Sequence, residues 1–314
     1  MKVLITDYGF KKVSTEERIL AEAGHELVTA QCATEDEVIA AADGCQALLV
    51  QWAPVGARVA RALSNLRLVV RYGIGVDNLD VPALKSTGIA VCNVPDYCID
   101  EVADHSTALA LSLLRQLPQT HAKVQEGRWQ ITPPNPIPSF RNAVFATAGF
   151  GRIARAVLQR AAAFGFQLAA YDPYVSPDQM AAAGVRSLEL DELFGESDVL
   201  SLHLPLTTDT RHFISANRLR EMKETAVLVN TARGGLVDTL ALAQALDSAE
   251  LGGAGLDVFE TEPLEENHPL RNAPNTLLTS HTAWNSGASV TELQRKAAEE
   301  VVRGLAGESL KNPL

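Results

Sequence analysis

Three residues in the last third of the chain carry the types and spacing that could do chemistry. Arg233 lies in Asn230-Thr231-Ala232-Arg233-Gly234-Gly235, Glu262 in Leu256-Asp257-Val258-Phe259-Glu260-Thr261-Glu262-Pro263, and His281 in Thr279-Ser280-His281-Thr282-Ala283-Trp284. Each follows a short apolar run that reads as a buried strand, and open α/β sheets bind their ligands at strand ends. A guanidinium holds a carboxylate through two parallel hydrogen bonds. An imidazole moves a proton near neutral pH. A carboxylate beside that imidazole favours its charged form and fixes its orientation. Together the three suit redox chemistry at a carbon bearing a hydroxyl next to a carboxylate. Glu260, on the same turn as Glu262, competes for the role of the imidazole's partner.

The elements that position these residues alternate along the whole chain. Short apolar runs at 3–6, 26–29, 47–51, 68–72 and 90–93 are separated by helical stretches. A second series follows at 143–147, 167–171, 198–204, 226–230, 253–258 and 276–280. This alternation is the pattern of parallel βαβ units. A helix is expected over 100–117, ending before Pro118, and a last helix over 288–305. Between the two series, residues 131–138 contain Pro133, Pro134, Pro136 and Pro138, which reads as an extended surface crossing.

The 314 residues suggest about two domains. Apolar residues make up 46 %, enough for sizeable cores, and the net charge of -11 argues against nucleic-acid or anionic-membrane partners. Cys32, Cys45, Cys92 and Cys98 form no C-x-x-C pair and have no His at metal-ligand spacing, so reduced, buried thiols in a cytoplasmic protein are expected. The first apolar run breaks at Asp7, too early for a secretory leader. No run reaches the ~18 residues of a membrane span.

A dinucleotide signal opens the second series. The strand 143–148 runs into Gly149-Phe150-Gly151-Arg152-Ile153-Ala154, a G-x-G-x-x-A sequence, and then a helix over 155–164. Gly149 permits the tight turn, and Gly151 lets a pyrophosphate approach the helix N-terminus. The next strand ends at Asp172, whose carboxylate can accept from ribose hydroxyls and would repel a 2'-phosphate. No Arg or Lys follows it at once, which favours NAD over NADP. Strand, glycines, helix, strand and acid in this order are far more specific than the glycines alone.

With these motifs the chain resembles the D-isomer-specific, NAD-dependent 2-hydroxyacid dehydrogenases. The resemblance covers essentially the whole chain. It includes Arg71-Tyr72-Gly73-Ile74-Gly75-Val76-Asp77-Asn78, Asn93-Val94-Pro95, Val102-Ala103-Asp104-His105, Gly127-Arg128-Trp129 and His203-Leu204-Pro205-Leu206-Thr207. Asp96-Tyr97 and Trp284 are similar to a bacterial subgroup near the C-terminal binding proteins and phosphoglycerate dehydrogenases. The resemblance implies an α/β fold of two Rossmann-like domains with parallel sheets. A flavodoxin-like substrate domain would comprise 1–97 and 288–314, and an NAD-binding Rossmann domain 98–287, with a cleft between them and the helices near 100–117 and 288–305 as hinges. It implies His281 as acid/base, Glu262 as its partner and Arg233 as the carboxylate ligand, with backbone N–H groups near Ile74 and Gly75 on the carboxylate's other side.

Asp257 resembles the ligand of the nicotinamide carboxamide, Arg152 and Ile153 would flank the pyrophosphate, and Leu204, Thr231 and Ala232 would line the cofactor path. His105 and His203 read as structural. A homodimer built from the 100–117 helix and the proline-rich segment is implied too. Where phosphoglycerate dehydrogenases often carry a basic residue, this chain has Gln51 and Trp52, with Arg71 as a remaining anion contact. A small or apolar 2-oxoacid is therefore expected, with Trp52, Tyr97 and Trp284 as an aromatic wall. The competing expectation is an NAD(H)-regulated dimeric binding protein. Three departures stand out. Ala154 replaces the commoner third glycine of the G-x-G-x-x-G pattern, which many members tolerate. Ser280 precedes His281 where the family usually has proline, which predicts a less rigid strand end. The strand Phe145-Ala146-Thr147-Ala148 is smaller and more polar than usual, which predicts looser packing.

Overall fold

The computed structural model describes residues 1–131 and 137–314. The extended proline-rich crossing expected over 131–138 falls mostly on Pro133, Pro134 and Pro136, which lie outside the described residues. The chain divides into two compact units, Met1–Cys98 with Asn285–Leu314, and Ile99–Trp284.

In the first unit β1 (Lys2–Ile5), α1 (Ser14–Glu22), β2 (Glu26–Thr29), α2 (Glu35–Ala41), β3 (Ala47–Val50), α3 (Ala57–Ala62), β4 (Leu68–Arg71), α4 (Val81–Ser86) and β5 (Ala90–Cys92) follow one another. The five strands form a parallel sheet in the order β2-β1-β3-β4-β5. That is the flavodoxin-like order. Helices cover both faces of such a sheet, so its inner strands are continuously apolar rather than alternating. Val3, Leu4, Ile5 and all of Ala47–Val50 are fully buried. Local chemistry starts the helices: Thr34 and Glu37 form a capping box on α2, and Asp80 caps α4 with Pro82 in its first turn.

The second unit contains α5 (Ile99–Leu114), α6 (Leu117–Gln125), β6 (Val144–Ala148), α7 (Arg152–Ala163), β7 (Gln167–Tyr171), α8 (Pro177–Ala181), β8 (Arg186–Ser187), α9 (Leu190–Glu196), β9 (Val199–Leu202), α10 (Ala216–Glu221), β10 (Val227–Asn230), α11 (Thr239–Asp247), β11 (Gly253–Leu256) and β12 (Thr276–Leu278). The last helix, α12 (Gly287–Leu305), belongs to the first unit and packs on α1, β3 and β4. The second sheet is parallel, in the order β12-β11-β10-β9-β6-β7-β8. The chain enters at β6, winds outward through β7 and β8, then returns to β9 and winds the other way. Direction reverses beside β6, where doubly wound sheets place dinucleotides. Two Rossmann-like parallel sheets are thus present.

Three expectations change. The helix expected over 100–117 is two helices. α5 ends at Leu114, Gln116 adopts a left-handed φ of 52°, and Pro118 sits in the first turn of α6. Proline has no N–H to lose at that position, so here it begins a helix instead of ending one. The two-residue strand β8 was not expected, because Arg186 and Ser187 give no apolar run. The small, polar β6 is buried at all five positions. Its Thr147 hydroxyl donates to the Gly149 carbonyl at 2.8 Å, and Phe145 meets Phe166 edge-on at 5.4 Å. Phe145→Ala is expected to cost about 3–5 kcal/mol by removing a fully buried ring, read as a lowered urea midpoint.

Candidate active site

β10, β11 and β12 are parallel neighbours, with Asn230 level with Leu256 and Leu256 level with Leu278. Their following loops therefore leave from one edge of the sheet, and these loops carry Arg233, Glu262 and His281. His281 has a φ of 53°, a left-handed conformation that costs a non-glycine residue about 1–3 kcal/mol unless its surroundings impose it. Asp257 does much of the imposing. The His281 N–H donates to the Asp257 carbonyl at 2.8 Å, and those of Thr282 and Ala283 donate to the Asp257 carboxylate at 2.9 and 2.8 Å. The Thr279 hydroxyl adds a bond to the same carboxylate at 2.5 Å, and His105 meets Thr279 at 3.0 Å. The Trp284 indole N–H holds the His281 carbonyl at 2.8 Å. Although Ser280 stands where proline was expected, the turn is thus tied down by hydrogen bonds. Asp257, which resembles the ligand of the nicotinamide carboxamide, finds these partners within the chain.

His281 Nδ1 lies 2.7 Å from Glu262 Oε2, and Glu262 Oε1 accepts the Phe259 N–H at 3.0 Å. Burial pushes the Glu262 carboxyl up. The His281 hydrogen bond and charge, the Phe259 N–H and the Arg233 charge outweigh it and hold the carboxyl below the usual range. Glu260 is committed elsewhere. It meets His212 Nε2 at 2.6 Å and accepts the Thr239 hydroxyl at 2.7 Å. With Nδ1 occupied, Nε2 is the His281 ring atom left to exchange a proton.

Asn230 shapes the Arg233 loop. Its amide donates to the Arg233 carbonyl at 2.9 Å and its amide oxygen accepts the Ala232 N–H at 3.0 Å. Thr231 is pinned to α5 by a 2.7 Å hydroxyl–hydroxyl bond with Ser106. The Arg233 guanidinium donates to the Ala232 carbonyl at 2.6 Å. Sequence reasoning assigned no role to Asn230, Ser106 or Thr279. An Asn closing the apolar run at 226–230 just before the arginine was the available signal.

The glycine loop lies between β6 and α7. Gly149 has a φ of +96°, and a Cβ there would come within 2.5 Å of the His203 carbonyl. Leu204 packs beside it. Gly151 is the N-cap of α7 and offers no side chain to the helix, so the first-turn N–H groups at Arg152 and Ile153 face outward for an anion. Asp172 at the end of β7 accepts the N–H groups of Phe150 and Tyr174 at 2.8 and 2.9 Å. It thus ties the loop to the acid and retains lone pairs for ribose hydroxyls. Arg155 stacks over the Phe150 ring and donates to the Phe150 carbonyl. The tight turn, the uncapped helix N-terminus and the acid fit a dinucleotide. Burial of the His203 ring, which meets the Ser201 hydroxyl at 2.9 Å, pulls its pKa down to about 3.

In the first unit the residues singled out for substrate lie at the end of β4. Arg71 donates to the Tyr72 carbonyl, and the Asn93 amide donates to the Ile74 carbonyl at 2.6 Å. Ile74 and Gly75 are half-buried. Trp52, beyond β3, is 50 % exposed, and its backbone N–H is held by Asp7 at 2.6 Å.

The profile of the D-isomer specific 2-hydroxyacid dehydrogenase NAD binding domain matches residues 107–283. The chain belongs to this family. It is 41 % identical over 278 residues to D-3-phosphoglycerate dehydrogenase of Mycobacterium tuberculosis, an alignment covering 87 % of this chain and 52 % of that protein. The chain therefore spans about half the length of the curated relative it matches. Among solved structures, a protein from Thermus thermophilus superposes with a TM-score of 0.89 at 32 % identity, covering 100 % of both chains. D-lactate dehydrogenase of Aquifex aeolicus, solved with NAD and lactic acid, superposes with a TM-score of 0.87 at 26 % identity, covering 98 % of this chain and 96 % of that one. The second unit is thus the NAD-binding domain of a 2-hydroxyacid dehydrogenase family member.

Two outcomes follow. Gly149→Ala should abolish NADH binding measured by fluorescence titration, because the added methyl meets backbone that cannot yield. His203 stays neutral in the fold but takes a proton in the unfolded chain. Its contribution to stability is complete above pH ~6.5 and is lost as pH falls towards its folded value of about 3. The urea midpoint should accordingly fall with acidification, and His203→Gln should flatten that fall.

Proposed function

We propose that this protein is an NAD-dependent D-2-hydroxyacid dehydrogenase that interconverts a D-2-hydroxy acid and a 2-oxoacid. The observation that carries this reading is the 2.7 Å bond between His281 Nδ1 and Glu262, beside an arginine on the neighbouring strand's loop. NAD(H), when bound, supplies or accepts the hydride. Arg233 binds the substrate carboxylate and polarises the adjacent carbonyl. In reduction, the imidazolium of His281 gives the Nε2 proton to the developing alkoxide; in oxidation the neutral ring takes it from the hydroxyl. Glu262 stabilises the imidazolium and fixes the ring by holding Nδ1. In the first unit, Arg71 and the backbone N–H groups near Ile74 and Gly75 are the groups assigned to the substrate. Arg152 and Ile153 flank the pyrophosphate, Leu204, Thr231 and Ala232 line the cofactor path, Asp257 is assigned to the nicotinamide carboxamide, and Asp172 selects NAD over NADP.

The preferred substrate is a small or apolar 2-oxoacid. Trp52 offers an apolar surface at the edge of the first sheet, and the neutral Gln51 accepts the Gly9 N–H at 2.9 Å instead of offering a charge to a phosphate. We further infer a homodimer, supported by the exposed apolar residues Leu117, Val124, Trp129 and Ile131 in and beyond α6. A cytoplasmic location is supported by four free, buried cysteines. Among the described residues no helix is long and apolar enough to cross a membrane.

NADH oxidation at 340 nm with glyoxylate, hydroxypyruvate, pyruvate, phenylpyruvate and 4-methyl-2-oxopentanoate tests the reading. Turnover on at least one is expected. His281→Ala should lower kcat by about 10²–10⁴-fold, and Arg233→Lys should raise the oxoacid KM by about 10- to 100-fold through loss of the paired, charge-assisted bonds. Tight NADH binding with no turnover on any oxoacid counts for the binding-protein reading. Sedimentation velocity at micromolar concentration should show a dimer, and a monomer would overturn that part.

A further inference from the structure

Glu16, on α1, is fully buried, yet among the described residues no cation pairs with it. Both carboxylate oxygens are used. The Tyr72 hydroxyl donates to Oε1 at 2.8 Å, and the Gln294 amide of α12 donates to Oε2 at 3.0 Å. Gln294 also donates to the Lys12 carbonyl at 2.7 Å, which ties the start of α1 to α12. Both neighbours present hydrogens to Glu16, so an acceptor-only group suits the pocket better than an amide.

This is a costly way to fill a core. Burial pushes the Glu16 carboxyl up, and the nearby Glu17 charge adds to that. The hydrogen bonds from Tyr72, from the Glu16 backbone N–H and from Gln294 only partly oppose it, so the carboxyl remains above its ordinary range. A carboxyl raised on folding makes its ionised form a net cost at neutral pH, one that shrinks as pH falls through the folded value. The placement of this acid gives it a role beyond filling the core.

Tyr72 is the residue between the end of β4 and the turn Gly73-Ile74-Gly75. Its ring is 1 % exposed and meets Phe10 edge-on at 5.3 Å, and its N–H donates to the Val50 carbonyl at 2.7 Å. Beyond it the backbone leaves the sheet. Gly73 has a φ of +143°, and the Arg71 guanidinium occupies the space where a Cβ would stand. The Gly73 and Ile74 carbonyls are then held by the Val94 N–H at 3.1 Å and the Asn93 amide at 2.6 Å. The turn is thus fixed from β5's side by two bonds and from α1's side through the Tyr72 ring.

We propose that Glu16 is a positioning residue for the substrate-carboxylate turn Gly73–Gly75, acting through the Tyr72 hydroxyl, with Gln294 holding Glu16 in place. The inference rests on the dehydrogenase reading above. A mobile Tyr72 would misplace the turn's N–H groups against the substrate carboxylate, and leave the cofactor's site in the other unit untouched.

The test uses the full chain loaded with NADH. Calorimetry measures binding of oxamate, an unreactive isostere of pyruvate, alongside steady-state kinetics on the best oxoacid. Tyr72→Phe removes one hydroxyl and should raise the oxamate Kd and the oxoacid KM by about tenfold, the scale of a hydrogen bond to a charged group. kcat should stay within about twofold, since an interaction made equally in the ground and transition states affects KM alone. Glu16→Gln should move oxamate binding in the same direction by a smaller factor. The double variant should match Tyr72→Phe, because both changes break one link. NADH affinity should not change. A fall in Tm with unchanged oxamate affinity overturns the proposal and leaves a structural network. Equal losses of NADH and oxamate affinity overturn it as well. If the wild-type protein neither binds oxamate nor turns over any oxoacid, the dehydrogenase reading fails and this inference falls with it.

Discussion

The buried carboxylate of Asp257 is the interaction on which the candidate site depends. It stands at the end of β11 and accepts hydrogen bonds from a hydroxyl and two backbone N–H groups of the segment that follows β12. A buried carboxylate without partners is too costly to keep, so the segment is obliged to wrap around it. That wrapping holds His281 in a left-handed conformation a free chain would avoid. The imidazole is placed by the backbone, and the strain at one residue is offset by several short bonds around it.

Glu262 and Glu260 show how geometry separates two like groups. They stand two positions apart on one turn, and both are glutamates with a histidine partner. Glu262 meets His281 and feels the Arg233 charge. Glu260 meets His212 and bridges to Thr239 at the start of α11. One pair is at the edge of the sheet with the arginine, and the other fastens a helix N-terminus. Burial raises each carboxyl, and hydrogen bonds outweigh it and hold both below the ordinary range. The difference in role comes from what stands around the pair.

The first unit treats its acids in a contrasting way. Asp7 spends its carboxylate on the backbone N–H groups of Gln51 and Trp52, fixing the loop after β3. Glu16 faces a phenol and an amide and remains above its ordinary range because of its burial. One acid follows the usual logic of a turn anchor, and the other is maintained at a cost in the core.

The sequence by itself determined much of the fold and the chemistry. The apolar runs, the glycine turn at Gly149, the acid at Asp172 and the three candidate residues after strand ends are local patterns, set by side-chain type and short spacing. Parallel βαβ alternation then leaves few ways to arrange them. Pro118 misled because proline ends helices and also begins them, and only the left-handed Gln116 before it shows which. Other features had no local signature. Whether Glu260 or Glu262 reaches the imidazole depends on loops from different strands. So do the partners of Asp257 and the support that Asn230 and Ser106 give to the arginine loop. Burial of Glu16 against Tyr72 and Gln294 joins residues separated by 56 and 278 positions. Contacts at such separations exist only after the sheets have formed, because the register of neighbouring strands decides which side chains meet.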